Sequence, residues 1–120
     1  MDIVGEGRLR RVMKVVNHDR CRNLATRDVL MRQYLNADER EIYASRNEDA
    51  QREWLLTRVA VKDAARQWLW SHGTGELFPI ELDVIAAPDG AWRVFVPGDH
   101  RSLDIDVVQL DGGVLAHVRD

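Results

Sequence analysis

The run EWLLTRVAVKDAARQWLW, residues 53–70, is long enough for about five helical turns, and the rest of the chain has to be arranged around it. At about 100° per residue, Arg58, Lys62 and Arg66 form one i, i+4, i+8 stripe, with Asp63 and Gln67 just beside it. Trp54, Ala60, Val61, Ala64, Ala65 and Trp68 occupy the opposite side. The pattern predicts an amphipathic helix from about Asp49 to Ser71, with Gly73 placed to stop it. Its polar side is concentrated and mostly cationic, which leaves two readings open. One is a solvated face on which Asp63 pairs with Arg66 or Gln67, a contribution of only ~0.2–0.5 kcal/mol. The other is a site, in which the bases hold phosphates and the carboxylate holds a divalent metal.

Downstream of this helix the pattern changes period. In FPIELDVIA, residues 78–86, Ile80, Leu82 and Val84 alternate with Glu81 and Asp83, as in a half-buried strand. PDG at 88–90 is a turn and AWRVFVP the returning strand; SLDIDVVQL and VLAHV then form a second hairpin across DGG. Upstream, RLRRVMKVV places Leu9, Val12, Met13 and Val16 at helical spacing, and MDIV reads as a short strand. LATRDVLMRQYL is a second helix, and Asn36 with Glu39 three residues on forms a capping box for the next. Helices followed by a meander of about four antiparallel strands make an α+β fold in one domain over residues 1–120, the long helix covering one sheet face.

Composition narrows the function classes. At 45% apolar and 31% charged, the chain belongs with ordinary globular domains. No apolar run approaches the ~20 residues of a membrane span, and MDIVGEGRLRR has no signal-peptide core, so a cytoplasmic protein without membrane contact is expected. The single Cys21 excludes an internal disulfide, and the four histidines show no zinc-ligand spacing. Residues 1–71 carry 14 Lys/Arg against 11 Asp/Glu, whereas residues 72–120 carry 3 against 9. An excess of +3 in the first part points to an anionic partner but is too small to argue for nucleic acid. His72, His100 and His117 read as surface or turn residues, and Trp54, Trp68 and Trp70 as core or subunit contacts. HGTG, residues 72–75, is either a helix cap or a phosphate cradle.

With these residues in view, LLTRVAVKDA resembles the F-x-x-R-F-A-x-K-E-A helix signature of 4′-phosphopantetheinyl transferases. DIVGEGRL is similar to the D-I-V-E-x-x-R-I opening of the small holo-acyl-carrier-protein synthases, and YLNADEREIYA to their L-T-x-x-E-x-x-Y helix start. HGTGELFPIELDVIAAPDG resembles their G-T-G, I-E-V and D-x-x-G order. The Lys-Asp pair and LFPIEL also resemble the transferase-like domains at the ends of some polyketide synthases. The resemblance covers nearly the whole chain, most specifically residues 54–64.

It implies Mg²⁺-dependent transfer of 4′-phosphopantetheine from CoA to a serine of an acyl or peptidyl carrier protein. It also implies a homo-oligomer, a trimer. Carried over, Asp2 and Asp63 are the metal ligands, and Lys62 contacts phosphate or helps move the serine proton. Arg58, Lys62, Arg66, Gln67, Gly73 and Gly75 line the CoA site, while Arg8, Arg11 and Lys14 face the acidic carrier. Three departures stand out. Asp63 replaces a glutamate and reaches roughly 1.5 Å less far, Gln67 stands in place of a second lysine, and the late S-x-S-H strand motif is DIDVVQ, Asp104 to Gln109. Two acidic residues there are expected to repel phosphate. The alternative is therefore a domain of the same fold that binds carrier or CoA with catalysis weakened or lost.

Overall fold

The computed structural model describes residues 13–17, 24–73, 77–86, 91–96, 98 and 102–119, with side chains omitted for 13–17 and 24. Strand β1 is Met13–Asn17; helices α1, α2 and α3 span Leu24–Tyr34, Ala37–Ser45 and Glu48–Ser71. A 3₁₀ turn, Pro79–Glu81, leads to β2 (Asp83–Ala86), β3 (Trp92–Phe95), β4 (Ser102–Leu110) and β5 (Gly113–Arg119). The five described strands form one antiparallel sheet in the order β1-β5-β4-β3-β2, so the expected four-strand meander gains β1 at its far edge.

Two expected elements are corrected. The helix across RLRRVMKVV gives way to a strand at Met13–Asn17, paired from Met13 opposite His117 to Asn17 opposite Gly113. Val15 and Val16 are β-branched and suit a pleated strand, and β5 offers a full hydrogen-bonding edge that outweighs weak helical periodicity. The strand read from Phe78 starts only at Asp83. Pro79 has no N–H for a ladder and opens the 3₁₀ turn instead, leaving Ile80 40% exposed.

The capping box is formed as expected: Asn36 Oδ1 accepts from the Glu39 N–H at 3.0 Å, and Glu39 Oε1 accepts from the Asn36 N–H at 3.1 Å. Asn47 caps α3 by accepting from the Ala50 N–H at 2.9 Å. At the other end Gly73 takes φ +87°, a conformation that favours glycine, and its N–H bonds the Trp70 carbonyl.

Helix α3 is the centre of the fold. One side packs on β1, β5 and β4, and the other meets α1, α2 and the 3₁₀ turn. Every residue from Leu55 through Lys62 is therefore buried. Leu55, Leu56, Val59 and Val61 join Leu35, Leu82, Val94, Ile105 and Val118 in a single core. What the helical wheel reads as a solvent side is, over its first half, the side facing a second layer of helices. Among the described residues no helix is long and apolar enough to cross a membrane.

Candidate functional site

The stripe Arg58–Lys62–Arg66 runs from the interior of the molecule to its surface. Arg58 is 8% exposed and Lys62 is fully buried, whereas the Arg66 side chain keeps 34% of its exposure. A buried cation requires a partner, and Glu39 is the partner of both. Its Oε1 accepts from Lys62 Nζ at 2.6 Å and its Oε2 accepts from Arg58 Nε at 3.1 Å. Lys62 Nζ also donates to the Tyr34 carbonyl at 2.6 Å. The Arg58 guanidinium lies 3.8 Å from the centre of the Trp54 ring and 5.4 Å from that of Trp92. Burial pushes the Lys62 ammonium below its usual range; the hydrogen bond and charge of Glu39 oppose this, and the Arg58 charge adds to it. Arg58 is lowered in the same way, by burial first, with Glu39 opposing.

The surface-stripe expectation is thus corrected for two of its three bases. The Lys62 head group is enclosed by Glu39 and the end of α1. Glu39 was legible in the sequence only as a cap. Nothing in one dimension says that the first turn of α2 faces the middle of α3, so its second role becomes visible only in the fold.

Asp63, one residue on, points away from this cluster and keeps 14% of its side-chain exposure. Its Oδ1 accepts from the Tyr34 hydroxyl at 2.7 Å and lies 3.6 Å from an Arg66 guanidinium nitrogen. Arg66 Nε in turn donates to the Leu77 carbonyl at 2.8 Å, which ties α3 to the segment before the 3₁₀ turn. Tyr34 and Arg66, with Gln33, Phe78, Pro79, Ile80 and Glu81, line an open cleft of about 610 Å³. The cleft joins a guanidinium, an adjoining carboxylate and an apolar wall, a combination suited to an anionic ligand with an organic body.

The other expected site residues are spread around this core. Gln67 is exposed on α3, and Gly73 terminates the helix outside the cleft lining. Lys14 stands on β1 opposite Ala116. Asp2, Arg8, Arg11 and Gly75 lie outside the described residues. The acidic pair in DIDVVQ does not face α3. Ile105 points into the core, so strand alternation sets Asp104 and Asp106 on the other sheet face, where Asp104 meets Arg93 and Asp106 meets Arg119 and His117. Of the tryptophans read as contacts, Trp54 and Trp68 pack against the core, while Trp70 is 76% exposed. His72 is exposed at the end of α3, stacked on Trp68 at 3.7 Å.

Known structures share this architecture along nearly its whole length. A holo-(acyl-carrier-protein) synthase from Bacillus anthracis, solved in complex with CoA (3′,5′-ADP), superposes with a TM-score of 0.72, covering 90% of this chain and 91% of that one at 18% identity. The fold is that of the holo-acyl-carrier-protein synthases. The synthase from Plasmodium yoelii matches with a TM-score of 0.71 over 90% of both chains at 13% identity. That from Helicobacter pylori, in complex with coenzyme A, matches with a TM-score of 0.67, covering 90% of this chain and 96% of that one at 17% identity. No protein-family model matches the sequence, and no curated protein matches it. The backbone arrangement is therefore shared with this fold far more fully than the residues are.

Proposed function

We propose that this chain transfers the 4′-phosphopantetheine arm of CoA to a serine of an acyl or peptidyl carrier protein. The observation that carries the reading is Arg66 in the lining of the 610 Å³ cleft with the Asp63 carboxylate 3.6 Å from its guanidinium, on the central helix of a holo-acyl-carrier-protein synthase fold. In the reaction the serine oxygen forms a bond to the β-phosphorus, and the bond from that phosphorus to the bridging oxygen breaks. 3′,5′-ADP leaves, and the serine proton passes to water. Arg66 sits where a guanidinium can hold a diphosphate oxygen, and Asp63 supplies the adjoining carboxylate. In this reading Lys62, the buried counter-ion of Glu39, holds α1 and α2 against α3.

Mg²⁺ belongs to the same proposal. Among the described residues no three His, Cys, Asp or Glu side chains gather into a protein cage for a metal. Asp63 instead fits the common Mg²⁺ arrangement of one or two carboxylates with the remaining positions filled by water and substrate phosphate, and Asp2 is the second carboxylate in this reading. When bound, the ion supplies charge neutralisation at the diphosphate. The homo-oligomer, a trimer, and the contact of Arg8, Arg11 and Lys14 with an acidic carrier complete the proposal.

A second reading, a carrier- or CoA-binding domain with weakened catalysis, is favoured by the withdrawal of Lys62 into the core. One assay separates the two. Incubation with apo carrier proteins, CoA and Mg²⁺ should add the mass of a phosphopantetheine arm to the carrier, and Asp63→Ala should abolish that gain. CoA or carrier binding without any mass gain supports the second reading, and the absence of both refutes both.

A further inference from the structure

Tyr34 is gripped at one end and grips at the other. Its carbonyl accepts from Lys62 Nζ at 2.6 Å, and its hydroxyl donates to Asp63 Oδ1 at 2.7 Å. The two partners are consecutive on α3 but engage different groups: Lys62 is in the core on Glu39, and Asp63 meets the Tyr34 hydroxyl and Arg66, two residues of the cleft lining. The main chain of Tyr34 is thus tied to the Glu39 cluster while its phenol reaches the Asp63 carboxylate, which keeps 14% of its side-chain exposure. The residue is 8% exposed, so the ring has little room to leave this position. Leu35 and Asn36 follow at once, and the capping box of α2 holds that corner as well. A phenol donor held this firmly helps set the plane of the carboxylate, together with the Arg66 guanidinium 3.6 Å from the same oxygen.

We infer that, granted the metal role proposed above for Asp63, Tyr34 is the positioning residue that aims this carboxylate at the cation. Partners that hydrogen-bond a ligating group commonly change metal affinity by about 10–100-fold when removed. Tyr34 does not itself touch the ion or the phosphates; it acts through Asp63.

The test uses the full chain, with Mn²⁺ as the probe for the Mg²⁺ position, and measures binding by water-proton relaxation with and without CoA. Tyr34→Phe keeps the ring and deletes only the donor. It should bind Mn²⁺ about tenfold more weakly than the unsubstituted protein, with an unchanged circular dichroism spectrum. Equal affinities overturn the role of Tyr34 and leave the proposed transfer untouched. Should the Phe variant not fold, Tyr34→Gln, which retains a donor, is compared with Tyr34→Leu, and equal Mn²⁺ affinities of those two overturn it as well. If the unsubstituted protein binds no Mn²⁺ even with CoA, the metal reading of Asp63 falls and this role falls with it. If Mn²⁺ binds and the Phe variant is weakened but no carrier is modified, the role of Tyr34 stands and the transfer reading fails.

Discussion

Glu39 carries one negative charge between two buried positive ones, so removing it leaves Arg58 and Lys62 in the interior without compensation. Breaking a buried ion pair from one side costs about 3–5 kcal/mol, and Glu39→Gln should lower the unfolding free energy by about that amount in urea denaturation. Lys62→Met tests the same cluster through pH. Burial lowers the Lys62 pKa in the folded protein, whereas the unfolded chain keeps a value near 10.5. Between those two values the unfolded state binds more protons, so the native protein gains stability from this group as pH rises. The gain comes first from burial, which penalises the charged ammonium in the fold and not its neutral form, with the nearby Arg58 charge adding to it. Lys62→Met should remove this slope, so the stability of the unsubstituted protein relative to the variant should increase toward pH 10.5 in denaturant titrations at stepped pH.

The elements differ in how much of them was written locally. The start of α2 is local: Asn36 and Glu39 satisfy each other's backbone across one turn, and Asn36→Ala should cost ~1 kcal/mol in thermal unfolding. The extent of α3 is local too, from the periodicity of residues 53–70 to the positive φ of Gly73. A side chain at Gly73 would meet no neighbour within 4 Å, so any cost of substitution there is conformational. β1 is the opposite case. Leu9, Val12, Met13 and Val16 fit a helical wheel, but the ladder with β5 over Met13–Asn17 decides the outcome. Strand pairing between residues about a hundred positions apart leaves no mark in a short window of sequence.

For the molecule as a whole, the five-stranded sheet covers α3 with one face and turns the other outward. On that outer face Ile85, Val108 and Leu110 are 52%, 49% and 41% exposed, among the ionic pairs of Asp104 and Asp106. This apolar surface supports the proposed self-association. Light scattering should then give a mass near three copies of the 13.8 kDa chain, and Val108→Glu with Leu110→Glu should reduce it to one. A single-copy mass for the unsubstituted protein would refute the trimer. The hairpins were readable here because alternation and turn residues are short-range signals, as the pairing of β2 through β5 bears out.

By itself the sequence determined which segments are helix and which are hairpin from α1 onward, where two of the helices begin, and the α+β order in which they are joined. It also singled out the helix on which Asp63 and Arg66 stand. Only the tertiary structure decided which side of that helix meets solvent. An amphipathic wheel ranks residues by polarity, and a lysine reads as exposed until a carboxylate from another element is brought within 2.6 Å of it. Glu39 and Tyr34 are that contribution: each is unremarkable in its own helix, and they acquire their roles because α1 and α2 fold back onto the middle of α3.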